Sequence, residues 1–188
     1  MTIRLTLLCA AAGPAVREAR FGDGPLDERG AREARTVAGA LPAASLHYRA
    51  PSVRCEQTTG ALGFTAATVE PALRDCDFGR WSGRSLEDVA AEESDGVAAW
   101  ATDPAAAPHG GESVTALLLR VADWMDGLPE DAGRVLAVAE PSVVRAATVH
   151  ALGAPPAAFW RVDAPPLSLV TLTGRAGRWN LRLNGPVA

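Results

Sequence analysis

The sequence predicts an α/β fold, a three-layer sandwich with a mostly parallel central sheet and helices on both faces. Short apolar segments with β-favouring residues alternate with segments of helical periodicity along the whole chain. No Pro/Gly-rich linker interrupts this alternation, so residues 1–188 are interpreted as a single domain. Ligands of such sheets bind beyond the carboxyl ends of the strands, and the residues that follow each strand are therefore the first candidates for a site.

The first half of the chain alternates strand and helix. The predicted elements are a strand at 3–9, a helix at 25–41, a strand at 45–50, a helix at 51–63, a short strand at 67–73 and a loop at 75–84. Asp27 and Glu28 stand in the first turn of the first helix, where the helix dipole favours anions. The second helix opens with Pro-Ser and closes with Gly, which is the usual asymmetry of helix ends.

The second half contains the clearest helix and the clearest buried strand. The predicted elements are short helices within 85–102, an amphipathic helix at 112–128, a strand at 133–140, a helix at 141–153 and a hairpin at 167–185. The strand "GRVLAVAE" is a near-continuous apolar run, typical of a strand that is buried on both faces. The sequence "GRAG" between the last two strands predicts the hairpin turn. The strand ends Cys9-Ala10 and Ala139-Glu140 follow as the main candidate positions.

Composition and charge exclude several classes of function. A net charge of −4 argues against nucleic acid or an anionic membrane as the main partner, and no apolar run has the length of a membrane span. The chain has three cysteines, an odd number at wide spacing with no CxxC pair, which predicts neither a disulfide framework nor a zinc site. We therefore expect a small-molecule partner, no metal and no cofactor. The oligomeric state stays open, with a homodimer as one option.

The segment "TLLCAAAGPA" near the start has two interpretations. Its apolar residues and small residues resemble a secretory signal, but cleavage there would remove a strand that the rest of the sheet requires. Leu8 also stands where a lipoprotein signal needs a small residue. The strand interpretation is favoured, and with it a cytoplasmic location.

Five segments in order resemble the histidine phosphatase superfamily, the phosphoglycerate-mutase-like proteins, over essentially the whole chain. They are "RFGDGPLDERGAREA", "APSVRCEQT", "LRDCDFGRWSGRSLEDV", "PHGGES" and "GRVLAVAEPSVVRAATVHALG". Each segment alone is weak evidence for the superfamily, but five segments in this order and at this spacing are specific to it. The resemblance implies a cationic phosphate pocket with an Arg-His pair after the first strand, a second arginine, a second histidine and a carboxylate proton donor.

The positions that match this pocket carry other residues. The strand-end arginine falls on Cys9, the nucleophilic histidine on Ala10 and the second histidine on Glu140, while Arg54 and the carboxylate Asp75 remain. An alanine cannot accept a phosphoryl group, and a glutamate repels phosphate. The resemblance therefore implies a degenerate member, and we expect a protein that is not a phosphohydrolase or a mutase.

The predicted catalytic residues are Glu140, Asp75 and Arg54. In one interpretation the arginine separates two carboxylates whose pKa values differ, so that one acts as base and the other as acid. In the other, Glu140 only pairs with Arg54 and fills the space of the absent histidine. Cys9 is either a nucleophile or a buried small residue, and the second is favoured because no histidine stands near to activate it.

The predicted substrate-binding residues carry alternatives of the same kind. These residues are Cys9, Ala10, Glu112, Ser113, His109 and Trp81. The "GGES" segment either contacts ligand or caps the following helix, and capping is favoured. His109 either lines the pocket or is an ordinary loop histidine, and Trp81 either forms an apolar wall or packs in the core.

Two functions follow from the sequence, and a third, a residual phosphatase with another nucleophile, is disfavoured because Ala10 removes the only group placed for in-line attack. The first is a repurposed acid–base enzyme of the isomerase, lyase, dehydratase or cyclase type, acting on a small molecule in the former phosphate pocket. The second is a non-catalytic pseudophosphatase that binds or regulates. A cavity with Asp75 and Glu140 on opposite sides would favour the first, and Glu140 bound to Arg54 in a filled cavity would favour the second.

Overall fold

The computed structural model describes residues 2–183 and contains a mixed sheet of six strands flanked by helices, which confirms the predicted fold class. The strands are β1 (Ile3–Cys9), β2 (Leu46–Arg49), β3 (Thr68–Val69), β4 (Arg134–Ala139), β5 (Leu169–Arg175) and β6 (Arg178–Arg182). The helices are α1 (Pro14–Arg17), α2 (Glu28–Val37), α3 (Val53–Ala61), α4 (Leu86–Glu92), α5 (Ser94–Thr102), α6 (Val114–Asp126) and α7 (Pro141–Ala151). Four short 3₁₀-helices lie at 38–40, 71–73, 79–81 and 156–161.

The sheet has the strand order β3-β2-β4-β1-β5-β6. Strands β1 to β4 are parallel to one another, and β5 is antiparallel to β1 and β6. The most apolar runs, β1 and β4, are neighbours near the middle of the sheet, where both faces are covered. Their register pairs Cys9 with Ala139, so the two strands end side by side.

The helices begin at capping side chains. Asp27 accepts a hydrogen bond from the backbone N–H of Gly30 at the start of α2, and Ser52 accepts one from Cys55 at the start of α3. Helix α2 packs against α3 and α6 packs against α7, which brings apolar side chains onto the sheet. None of the helices within residues 2–183 has the length and apolar character that a membrane crossing requires.

Two predicted elements differ in detail from the structure. Strand β3 has only two residues, because Pro71 begins a single-turn helix and proline has no N–H for a sheet ladder. The predicted hairpin is confirmed, and its turn consists of Ala176 and Gly177, both with positive φ (50° and 73°), as in a two-residue turn that matches the strand twist. The last predicted hairpin residues, 184–185, lie outside the described part of the chain.

Candidate functional site

The site lies where β1 and β4 end. The backbone N–H of Ala10 donates to the carbonyl of Ala139 at 2.9 Å, so Ala10 and Glu140 follow neighbouring strands at one edge of the sheet. This is the position at which parallel sheets bind ligands, and it agrees with the two strand ends that the sequence singled out.

A buried ion pair fills the centre of this edge. Glu140 is fully buried, and its Oε2 accepts from Nε of Arg54 at 3.0 Å and from Nη2 of the same residue at 2.5 Å. Its Oε1 accepts from the hydroxyl of Ser52 at 2.6 Å. The arginine is only 4% exposed. Both carboxylate oxygens are thus engaged within the protein, which favours the interpretation that Glu140 pairs with Arg54 over the interpretation that it acts as a base.

The start of α3 holds Arg54 in place. Asp23 accepts from the backbone N–H groups of Val53 at 2.7 Å and of Arg54 at 3.2 Å. Thr58, one turn further along, accepts from the N–H of Ala11 at 3.2 Å. The helix is therefore tied both to the loop after β1 and to the loop before α2, and the guanidinium is directed toward Glu140.

Asp75 is the carboxylate that reaches solvent in this site. It is half-buried, and its Oδ1 accepts from the hydroxyl of Ser142 at 2.5 Å and from the backbone N–H of Cys76 at 2.8 Å. Burial, and next the negative charge of Glu140, raise the pKa of Asp75 to about 7. The hydrogen bonds and Arg54 oppose this rise but do not cancel it. A carboxyl group with such a pKa can donate or accept a proton at neutral pH.

Asp75 faces a cavity of about 390 Å³. Aromatic side chains form much of its wall, and its polar groups are few. The aromatic residues are Phe21, Phe78, Trp100 and Phe159, and the polar ones are Arg20, Arg54, Asp75, Ser142 and Arg145. Cavities of about 430 and 650 Å³ also exist, but they lie beside β2 and β3 and beside β6, away from the carboxyl ends of β1 and β4. We place the candidate site in the cavity of about 390 Å³ that Asp75 faces, and we call it the site cavity.

The expectation that Trp81 and His109 line the pocket is corrected by the structure. Trp81 is fully buried and His109 is 1% exposed, and their ring centroids are 5.1 Å apart behind the cavity wall. Nδ1 of His109 accepts from the backbone N–H of Gly111 at 3.0 Å, and burial lowers the pKa of this histidine. Both rings belong to the aromatic cluster under the cavity, because a large ring stabilises the fold more when it is fully buried than when it lies at a solvent-exposed edge.

Glu112 and Ser113 also point away from the site cavity. Glu112 forms ion pairs with Arg120 at 2.6 Å and with Arg74 at 3.1 Å. Ser113 caps α6 by accepting from the backbone N–H of Ala116 at 3.2 Å. These contacts favour the capping alternative for Ser113 and a structural ion pair for Glu112.

Cys9 and Ala10 are buried beneath the cavity. The thiol of Cys9 lies 3.5 Å from the carbonyl oxygen of Ala164, and burial together with Glu140 raises its pKa to about 12. Ala10 is 3% exposed. The structure thus favours the small buried residue over the nucleophile for Cys9, since a thiol with this pKa stays protonated.

Ser142, Arg145 and Phe159 are cavity residues that were not among the predicted site residues. Ser142 and Arg145 lie three residues apart on α7 and therefore on one face of the helix. Phe159 belongs to the short helix at 156–161. The helical spacing after Glu140 was the signal that would have identified the first two. No sequence pattern indicated Phe159, which lies in the connection between α7 and β5. No group of three or more His, Cys, Asp or Glu suited to a metal ion occurs within residues 2–183.

The family model for the histidine phosphatase superfamily (branch 1) matches residues 16–185. The chain belongs to the histidine phosphatase superfamily. Among curated protein sequences, none matches this superfamily member.

Solved structures resemble this superfamily member along nearly its whole length. A mycobacterial glucosyl-3-phosphoglycerate phosphatase in complex with VO3 has 27% identity and a TM-score of 0.83, with 96% of this chain and 97% of that chain covered. An alpha-ribazole phosphatase from Shigella flexneri has 22% identity and a TM-score of 0.83, with 96% and 95% covered. A phosphoserine phosphatase from Entamoeba histolytica, a histidine-to-alanine variant in complex with phosphoserine, has 17% identity and a TM-score of 0.83, with 95% and 94% covered. The last two likenesses concern the fold.

These likenesses contradict one prediction from the sequence. We expected a protein that is not a phosphohydrolase, whereas the structure that resembles it at 27% identity over 96% of the chain is that of a phosphatase. The prediction rested on the three substituted positions Cys9, Ala10 and Glu140, which were given more weight than the retained Arg54 and Asp75.

Proposed function

We propose that this superfamily member binds a small organic molecule in the site cavity and that Asp75 transfers a proton to or from it. The observation that carries the proposal is a half-buried carboxyl group that faces the cavity and has a pKa of about 7. A general acid or base works best when its pKa lies near the working pH. Among the residues described, Asp75 is the only acidic side chain that lines this cavity.

We further propose that Ala10 and Glu140 occupy the two positions of the family's catalytic histidines. Both residues directly follow the neighbouring strands β1 and β4, where the resemblance places those histidines. The family match begins at residue 16 and therefore leaves out β1 and Ala10. This assignment makes Asp75 the remaining proton-transfer group of the family's set.

In this proposal Glu140 has a supporting role. Its carboxylate is enclosed by Arg54 and Ser52, so it does not meet a ligand, but its charge raises the pKa of Asp75. Ser142 donates to Asp75 and orients its carboxyl group toward the cavity. A proton-transfer step such as an isomerisation or an elimination needs one such group and a water or substrate atom to complete it.

A second candidate is phosphohydrolysis, which the likeness to the mycobacterial phosphatase favours. Asp75 would then protonate the leaving oxygen, and the arginines of the cavity would hold the phosphoryl group. Because the proposed assignment puts alanine at the nucleophile position, water would be the attacking group.

One experiment addresses both candidates. The purified protein is incubated with a defined metabolite library and with p-nitrophenyl phosphate, and consumption is followed by mass spectrometry and by phosphate release. We expect turnover of at least one compound, reduced about a hundredfold or more in Asp75→Asn, since general acid–base groups contribute about 10²–10⁴-fold. Arg161→Gln, which changes a charge outside the cavity lining, is the matched control and should keep full activity.

The outcomes separate the alternatives. Turnover that survives intact in Asp75→Asn refutes the role of this residue. Phosphate release that depends on Asp75 supports the second candidate over the first. If no compound is consumed while ligands still bind, the protein is a binding protein and the catalytic proposal is wrong.

A further inference from the structure

Arg145 is the cation of the site cavity that lacks a carboxylate partner within residues 2–183. Arg54 is bound to Glu140, and Arg20 is bound to Glu18 at 2.7 Å. Arg145 forms no ion pair in the described part of the chain, and its Nε is buried without a hydrogen-bond acceptor. A buried N–H without an acceptor is unfavourable, and an anionic oxygen is the strongest acceptor that it can receive.

The position of Arg145 allows its guanidinium to bind an anionic group of a ligand. Its guanidinium carbon lies 5.7 Å from the centroid of the Phe159 ring, which supports a cation–π contact. An arginine stacked on an aromatic face keeps the N–H groups at its edge free for a planar, two-oxygen acceptor. The side chain is one helical turn beyond Ser142, so a ligand held by Arg145 lies within reach of Asp75.

With Asp75 protonated, the charges of the cavity leave an excess of one cation. Arg54 and Glu140 cancel each other, and Arg20 is balanced outside the cavity by Glu18. Asp75 is partly protonated at neutral pH because its pKa is raised. A ligand with one negative charge would restore neutrality, whereas a dianion would leave one charge unmatched close to the buried Glu140.

The remaining wall of the cavity is apolar. The rings of Phe21 and Phe78 have centroids 5.0 Å apart, and Trp100 stands edge-on to Phe21 at 5.7 Å. Such a wall binds an aromatic or aliphatic body by excluding water from both surfaces.

We propose that the site cavity binds a singly charged organic anion of the carboxylate class, with Arg145 holding the carboxylate and the aromatic wall holding an apolar body. The inference rests on the proposed function for the choice of cavity, and it adds the class of ligand and the residue that selects it. Arg145 is a binding residue in this proposal, and Asp75 remains the group that moves the proton.

Calorimetric titration with matched probes tests the proposal. The probes are 3-phenylpropanoate, 4-phenylbutanoate and octanoate, each compared with its primary amide, and phenyl phosphate as a dianion. We expect at least one carboxylate to bind about tenfold or more tightly than its amide, because a hydrogen bond to a charged group is worth that factor or more. Arg145→Met keeps the apolar stem and should abolish the difference, while Arg161→Gln, outside the cavity lining, should keep it.

Several results would overturn the proposal. These are equal binding of carboxylate and amide, absence of binding by all three carboxylates, an unchanged preference in Arg145→Met, and tighter binding of phenyl phosphate than of every carboxylate. The comparison of carboxylate with amide uses the unmodified protein, so the test stands even where a variant fails to fold.

The Asp75→Asn variant distinguishes this inference from the proposed function. It should bind the carboxylate at least as tightly as the unmodified protein. If the carboxylate still binds more tightly than its amide but turnover is unchanged in Asp75→Asn, the proposed function alone is refuted. If carboxylate and amide bind equally well but turnover still requires Asp75, the role of Arg145 alone is refuted.

Discussion

Replacing Glu140 by glutamine should destabilise the protein strongly. The substitution keeps the shape of the side chain but removes the charge that balances Arg54, which is only 4% exposed. It also turns one acceptor oxygen into an NH₂ group, which then faces either the guanidinium or the hydroxyl of Ser52. The first leaves a buried cation without its counterion, and the second places a donor where the guanidinium or the hydroxyl of Ser52 finds its acceptor.

The expected magnitude follows from the burial of the pair. Removing one partner of a buried ion pair costs about 3–5 kcal/mol of unfolding free energy. That is a large part of the roughly 5–15 kcal/mol that a domain has in total. At about 2–4 °C per kcal/mol for a chain of this size, the Tm should fall by roughly 6–20 °C. The pKa of Asp75 should fall as well, because the charge of Glu140 helps to raise it.

Urea unfolding followed by circular dichroism measures the effect. The control is the double variant Arg54→Met with Glu140→Leu, which removes both charges and keeps most of the buried volume. It should lie within about 1–2 kcal/mol of the unmodified protein, since apolar replacement of a whole buried pair is often neutral or stabilising. The single variants Arg54→Met and Glu140→Leu complete a double-mutant cycle that reports the coupling of the pair.

Two results would refute this reasoning. In the first, Glu140→Gln costs less than about 1 kcal/mol, which would mean that water reaches the pair. In the second, the double variant is destabilised by the full sum of the single variants, which would mean that the side chains act independently.

Three other predictions concern pH, thiols and close packing. The pKa of Asp75 is about 7 in the folded chain and near 4 in an unfolded one, so folding takes up a proton and stability falls as the pH rises from about 4 to 7. Asp75→Asn should therefore raise the unfolding free energy at pH 8, by at most about 4 kcal/mol, and should give no gain at pH 4; equal effects at both values would contradict this. The three buried cysteines should react with a thiol reagent only after denaturation, and a rapid reaction of the native protein at pH 8 would show this to be wrong. Gly30→Ala should cost about 1–3 kcal/mol in a denaturant titration, because a Cβ there would lie 2.1 Å from the backbone oxygen of Ala12, whereas Gly60→Ala, with open space, should be neutral or stabilising; similar effects of both would argue against this close contact.

The order of strands and helices could be predicted from local patterns. The apolar runs of β1 and β4 and the capping residues Asp27 and Ser52 specify their elements through contacts a few residues away. The length of β3 was overestimated, since the effect of Pro71 on a sheet ladder appears only when the pairing partner is known. Which strand ends meet also followed from a general rule, because parallel strands end at a common edge.

The sequence by itself determined which residue types stand at the ends of β1 and β4, and hence that Ala10, Glu140, Arg54 and Asp75 gather at one edge of the sheet. Only the tertiary structure decided what each of them meets. Glu140 accepts its hydrogen bonds from Arg54 and Ser52 at the start of α3, whereas Asp75, in the loop after residues 71–73, faces the cavity. Tertiary packing also directs Arg145 into the cavity, and such long-range orientation cannot be inferred from spacing along one helix.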